Sequence, residues 1–141
     1  MKILYAEDDK FTRDLTVEML SRGGITVIPT KDGADTWKEY VEGDKDYDLL
    51  LLDNRMPEKT GLEILKEIRE RGDNIPVVIL TSLVEQQMYD LGVDACFDKS
   101  LRYDELIREL KAIVARGRRP ISSLLPPKKK TFFEKLFGKK K

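Results

Sequence analysis

Five short apolar runs mark the first hundred residues: "KILYA" (2–6), "ITVI" (25–28), "DLLLLD" (48–53), "PVVILT" (76–81) and "ACF" (95–97). Within each run the apolar residues are consecutive and do not alternate with polar ones, the pattern of strands covered on both faces. Between the runs the period changes. Phe11, Leu15 and Met19 recur at helical spacing, as do Leu62, Leu65 and Ile68, and then Leu106, Leu110, Ile113 and Val114. "DGADTWKEYVEG" and "EQQMYDLG" are shorter helical stretches, each closed by glycine. Strand and helix thus alternate five times along the chain. With right-handed crossovers, this predicts an α/β doubly wound fold, a five-stranded parallel sheet with helices on both faces.

Ligands of such sheets bind in the crevice beyond the carboxyl ends of the strands. The predicted ends carry Glu7, Asp8 and Asp9 after strand one, Asp53 after strand three, Thr81 and Ser82 after strand four, and Asp98 and Lys99 after strand five. The leucine run behind Asp53 is a rigid mount that holds a carboxylate at the rim. Carboxylates gathered in a crevice repel one another unless a cation neutralises them, and hard oxygen ligands that stay partly hydrated suit Mg²⁺. Glu7, Asp8 and Asp53 are the candidate ligands. A carboxylate beside a divalent cation, with a lysine and a hydroxyl in reach, has what aspartyl-phosphate chemistry requires. Asp53 would be the nucleophile, while Mg²⁺, Lys99 and Thr81 would stabilise charge on the phosphoryl oxygens. Taken singly, a strand-end Asp is a helix cap or a solvated loop residue, and "EDD" is helix N-terminal charge. Four strand ends with complementary groups argue together for a site.

Composition narrows the choice. A chain of 141 residues holds one well-buried domain with something appended. Charged residues make up 37% and hydrophobic ones 40%, a soluble balance, and no run approaches the roughly 18 to 20 apolar residues of a membrane span. "MKILYAEDD" does not read as a signal peptide, so the expected compartment is the cytoplasm. Cys96 is the single cysteine and there is no histidine, which excludes an internal disulfide, a His-based triad and the usual zinc sites. A cysteine between apolar residues, with Asp94 and Asp98 nearby, reads as a small buried hydrophobe and not as a redox centre.

The zero net charge conceals a split. Residues 118–141 hold nine Lys/Arg and one acid, leaving seventeen Lys/Arg and twenty-five acids in residues 1–117. Gly117 and Pro120 stop the last body helix, and "ISSLLPP" reads as a linker with no core to join. The expected organisation is a body (1–117), a linker (118–130) and a basic aromatic tail (131–141). If the tail is helical, Phe132, Phe133, Leu136 and Phe137 share one side between lysine triplets, the make-up of an interfacial helix on anionic lipid. The same segment also fits a partner's groove, a fold-back onto the acidic body, or a solvated disordered tail. It is too short for a helix-turn-helix with its own core, so no nucleic-acid contact is expected.

The segments "ILYAEDDKFTRDL", "TKDGADTW", "LLLLDNRMPEKTGLEIL", "VVILTS" and "GVDACFDKS" together resemble the response-regulator receiver domain, the CheY-like family of two-component signalling, over roughly residues 1–116. The resemblance implies the flavodoxin-like strand order 2-1-3-4-5 and a phosphoacceptor switch that is not a conventional enzyme. It makes Glu7 and Asp8 the acidic pair, Asp53 the phosphorylated residue, Thr81 the hydroxyl position and Lys99 the phosphate-contacting lysine. Arg55 would lend its backbone carbonyl to the metal while its side chain hangs over the site. A histidine kinase or phosphotransfer protein would supply the phosphoryl group and a downstream protein would read it, with the chain a monomer or a phosphorylation-dependent dimer. The tail would add peripheral contact at the inner face of the membrane.

Three departures fall on the face such domains commonly use for output. Cys96 stands where an aromatic switch residue is usual; Ser100 follows Lys99 where proline in a cis bond is usual; and Thr81 and Lys99 are close enough in sequence to leave the fourth helix about a turn short. The Lys99–Ser100 bond is therefore either strained or part of a loop rebuilt in trans, because a non-proline cis bond costs about 2.5 to 4 kcal/mol. An FMN binder is disfavoured because "AEDDKF" would repel phosphate, and a haloacid-dehalogenase-type phosphatase because Arg55 occupies the position of its second acid. The remaining rival is a pseudo-receiver, a constitutive binding module that keeps the fold without the chemistry.

Overall fold

A computed structural model of the chain describes residues 1–43 and 46–126. The tail residues Phe132, Phe133, Leu136 and Phe137 lie outside the described residues. In chain order the elements are β1 (Lys2–Ala6), α1 (Lys10–Arg22), β2 (Thr26–Thr30), α2 (Gly33–Glu42), β3 (Leu49–Asp53), α3 (Gly61–Glu70), β4 (Val77–Leu80), α4 (Gln86–Asp90), β5 (Ala95–Phe97), α5 (Tyr103–Ala115) and α6 (Ile121–Leu124). All pairings are parallel and the strand order is β2-β1-β3-β4-β5. Both the fold class and the order expected from the sequence are found.

Side chains alternate across each strand, which splits the core into two layers. Leu4, Leu50, Leu52, Val77 and Ile79 face Ile64, Leu65 and Ile68 of α3 and Tyr40 of α2. Ile3, Tyr5, Leu49, Leu51 and Val78 face Leu20 of α1 and Leu106, Leu110 and Ile113 of α5. All five residues of β3 are buried, so the central strand has no freedom to shift its last residue.

Two segments differ from the sequence reading. The Phe11, Leu15, Met19 stripe that predicts α1 is not the stripe that α1 buries. Thr16 and Leu20 face the core, while Phe11 is 77% exposed. Thr16 is tolerated inside because its hydroxyl shares a 2.8 Å hydrogen bond with that of Tyr103 on α5. The second difference lies beyond α5. The chain does leave the helix at Gly117, whose φ of +81° is left-handed. "ISSLLPP", however, does join a core over its described part. Residues 118–126 fold back across the end of the sheet where the strands begin, α6 forms there, and Leu124 is 6% exposed. Asn74, ahead of β4, donates to the Arg119 carbonyl at 3.0 Å.

The loop between β3 and α3 is tied down before any functional question arises. Asn54 N–H donates to the Leu80 carbonyl, and Asn54 Oδ1 accepts from Leu62 N–H at 3.2 Å. Gly33 lies directly beneath this loop: a Cβ there would stand 1.7 Å from the Lys59 carbonyl oxygen. Gly33→Ala is expected to lower stability by about 1–3 kcal/mol, by forcing the loop off α2. Gly24→Ala, where a Cβ meets nothing within 4 Å, supplies the comparison in urea denaturation, since it carries only the strain of its positive φ.

Candidate functional site

Pairing register assembles the site. β1 and β3 are neighbours with Ala6 opposite Leu52, so the next residue of each, Glu7 and Asp53, lie side by side at the carboxyl edge. Asp53 lies opposite Leu80 and Leu80 opposite Phe97, which brings Thr81 and the segment after β5 to the same edge. Carboxylate oxygens of Glu7, Asp8 and Asp53 lie within 4.8 Å of one another. Lys99 Nζ is 3.0 Å from Asp53 Oδ2 and 3.8 Å from Glu7 Oε1.

The burial of these groups is uneven. Glu7 is 3% exposed and Asp53 2%, while Asp8 faces solvent. Burial, and then the hydrogen bond and charge of Asp53, push the Glu7 carboxyl up to about 7. Partial burial works against the Lys99 ammonium, but the hydrogen bond to Asp53 and the charges of Asp53, Glu7 and Asp8 outweigh it and hold its pKa above the ordinary lysine value. Carboxylates outnumber ammonium groups here. The donor set is all hard oxygen, converging and open to water on the Asp8 side, which fits a hard divalent cation of the Mg²⁺ type. An open groove of about 440 Å³ runs from Asp8 past Asn54 and Arg55 to Thr60.

The other expected residues fall as follows. Arg55 is exposed and its backbone N–H donates to Asp53 Oδ1 at 3.2 Å. Thr81 is buried at the end of β4, with its hydroxyl donating to the Leu83 carbonyl at 3.1 Å and accepting from Leu83 N–H at 3.2 Å. Cys96 is half-buried with its Sγ 3.5 Å from Met88 Sδ, and burial pushes its thiol up. Among the described residues there is no cis peptide bond, so the Lys99–Ser100 loop is the trans version. Asp98 holds it, accepting from Ser100 N–H at 2.8 Å and Ser100 Oγ at 2.7 Å. Helix α4 has only five residues, the shortening expected from the sequence.

Sequence reasoning missed the groups that support this edge. Asp9, grouped with the acids, is the N-cap of α1 and accepts from Thr12 N–H at 2.9 Å. Arg13 reaches back to the Glu7 carbonyl at 2.8 Å and braces the acidic turn. The spacing of Asp9 and Arg13 in the first turn of α1 was the available signal. Beneath Lys99 lies a cavity of about 330 Å³ with Tyr5, Thr16 and Tyr103 in its lining. The Tyr5 hydroxyl is buried beside Thr16, and burial pushes the phenol pKa above its ordinary range. No signal in one sequence marks three residues from β1, α1 and α5 as neighbours.

Comparison with known proteins shows the family. The sequence profile described as "Response regulator receiver domain" matches residues 3–111. The chain belongs to the response-regulator receiver family. It is 34% identical over 120 residues to Response regulator RR06 of Streptococcus pneumoniae, covering 82% of this chain and 54% of that protein. It is 31% identical over 132 residues to the cell cycle transcriptional regulator CtrA of Caulobacter vibrioides, covering 89% of this chain and 55% of that protein. The chain thus spans about half the length of these relatives. Among solved structures, a Francisella response-regulator receiver domain superposes with a TM-score of 0.76 at 27% identity, covering 83% of this chain and 98% of that one. The receiver domain of the sensor histidine kinase PA1611 from Pseudomonas aeruginosa, with a magnesium ion coordinated in its active-site cleft, superposes with a TM-score of 0.72 at 25% identity, covering 81% of this chain and 97% of that one. The receiver is therefore a domain of two-component signalling. No described helix is long and apolar enough to cross a membrane.

The Thr16–Tyr103 bond joins the two helices that flank the Lys99 loop. Tyr103→Phe is expected to lower stability by about 1 kcal/mol in urea denaturation, the net worth of one buried hydrogen bond. An unchanged midpoint would mean that the bond adds nothing beyond what water supplies.

Proposed function

We propose that this receiver is a phosphoacceptor switch in which Asp53 takes a phosphoryl group from a histidine kinase or phosphotransfer protein. The observation that carries the reading is the buried Asp53 carboxylate, 3.0 Å from Lys99 and sharing a tight acidic cluster with Glu7 and Asp8. In this reading Glu7, Asp8, Asp53 and the Arg55 carbonyl hold Mg²⁺, which when bound offsets charge on the phosphoryl oxygens. Asp53 attacks phosphorus and the donor's nitrogen or oxygen leaves with its electron pair. Lys99 then exchanges its contact with Asp53 for one with a phosphoryl oxygen. Thr81 must turn its hydroxyl away from Leu83 to reach the same group. The protein catalyses only its own phosphorylation and dephosphorylation.

Output is proposed to run through a protein partner, with the tail of Phe132, Phe133, Leu136 and Phe137 adding a surface contact. Its lysines and aromatic residues support an anionic lipid surface. With Cys96 in place of an aromatic side chain, the Thr81 movement has no ring to draw inward, so the readout differs from a Thr/aromatic relay.

Incubation with a small phosphoryl donor, followed by intact-mass measurement, tests the reading. The wild type should gain one phosphoryl group only when Mg²⁺ is present, and Asp53→Asn should gain none. A folded protein that stays unmodified would make the chain a pseudo-receiver, a binding module with the receiver's shape alone. A second experiment concerns Arg55, whose side chain stands exposed beside the attack path of water. Arg55→Ala should change the lifetime of the phosphorylated form by about tenfold or less, followed by phosphate release, since a residue that only shapes water access contributes on the scale of one positioned group. An identical lifetime would remove Arg55 from the mechanism.

A further inference from the structure

The end of the sheet opposite Asp53 carries a second buried ionic cluster, and the sequence after α5 is part of it. Asp94, just ahead of β5, has a side chain only 3% exposed. Its Oδ2 accepts from Arg69 Nη2 at 2.9 Å and from Val77 N–H at 2.9 Å. Its Oδ1 faces Arg119 Nη2 at 3.2 Å, with Arg116 at 3.8 Å. Arg69 is itself buried and also donates to the carbonyls of Gly92, Asp73 and Ile75. Arg118 lies 3.6 Å from Asp73, and Leu125 packs against Gly92, the left-handed residue between α4 and β5.

We infer that residues 118–126 form a reversible strap whose docking on this base is coupled to the position of α4. Three observations carry this. First, the strap is additional to the cluster and not required by it: without Arg119, Asp94 keeps Arg69 and Val77 N–H, so the strap can leave without orphaning a buried charge. Second, docking is not free of cost, since Arg119 Nε is buried with no hydrogen-bond partner. A contact that is optional and imperfect is poised for release. Third, α4 has little of its own to hold its position. It has five residues, no side-chain cap and Met88 as its single buried residue, and the backbone that ends it touches both Arg69 and Leu125. A shift of α4 therefore moves Gly92 and Asp94, which are the strap's seat.

The placement also has a directional consequence. Because the strap seats where the strands begin, the lysine-rich sequence that follows starts from the end of the body opposite Asp53. A surface engaged there leaves the phosphoacceptor edge open to a donor.

Hydrogen exchange on the full chain tests the coupling, read in peptides covering 120–125 and 88–94. Arg119→Ala should speed exchange in both segments by about tenfold and leave β1 unchanged, whereas Arg119→Lys, which keeps the charge, should retain part of the protection. Fast exchange of 120–125 in the wild type, or unchanged 88–94 in Arg119→Ala, would overturn the inference. The phosphorylation arm rests on the function proposed above. In a sample whose intact mass shows the added phosphoryl group, 120–125 should exchange faster, and unchanged exchange there would limit the coupling to strap and α4. Absence of the mass gain would count against the phosphoacceptor reading alone, and the Arg119 variants would still decide the strap.

Discussion

Two carboxylates, Glu7 and Asp53, are buried side by side at the end of adjacent strands with one ammonium between them. That arrangement is costly, and everything around it follows from keeping it in place. Burial favours the neutral form of Glu7, and the charge of Asp53 adds to that push. Such a pair persists only where the backbone leaves it no alternative. β3 supplies the rigidity: it is buried along its whole length between two layers of leucine and isoleucine, each contributing about 1.5–3 kcal/mol through burial. The turns then fix the approach. Arg13 braces the carbonyls of the acidic loop, and Asn54 ties the start of the next one.

Much of this was legible in the sequence, for a physical reason. The central strands, covered on both faces, are apolar throughout and announce their own ends, whereas the edge run read at 25–28 lies at Thr26–Thr30. Thus the sequence alone places Asp53, Thr81 and Lys99 at one edge. The helices were less transparent. On α1 the apolar period points to Phe11 and Leu15, yet the buried face carries Thr16, because a hydroxyl with a partner on α5 can be packed inside at little cost. Which threonine finds which tyrosine is decided by tertiary packing, and one chain's periodicity contains no record of it.

The strap was misread for a related reason. "GRRPISSLLPP" has the composition of a spacer, with three prolines, two serines and a glycine. What turns its described part into structure is the acid it meets, Asp94, twenty-five residues away from Arg119. A segment with few apolar residues joins a core when a buried charge is waiting for it, and that complementarity is visible only in three dimensions.

The two ends of the sheet show how one fold separates holding from doing. Both place buried carboxylates at strand termini and both supply basic side chains. At the base, a single carboxylate, Asp94, receives the Arg69 guanidinium and the Val77 N–H, which join α3 to β4, and Arg119 of the strap adds a contact that this pairing does not require. At the opposite edge the ratio is reversed, with three carboxylates converging on one lysine. The matched charge of Arg69 and Asp94 keeps α3 on β4 whether or not the strap is seated. Unmatched negative charge gives an edge that gains from a cation, beside a lysine already 3.0 Å from Asp53. The two ends of this domain therefore differ in how many donors each carboxylate receives, and in whether those donors are the guanidinium groups of Arg69 and Arg119 or the single ammonium of Lys99.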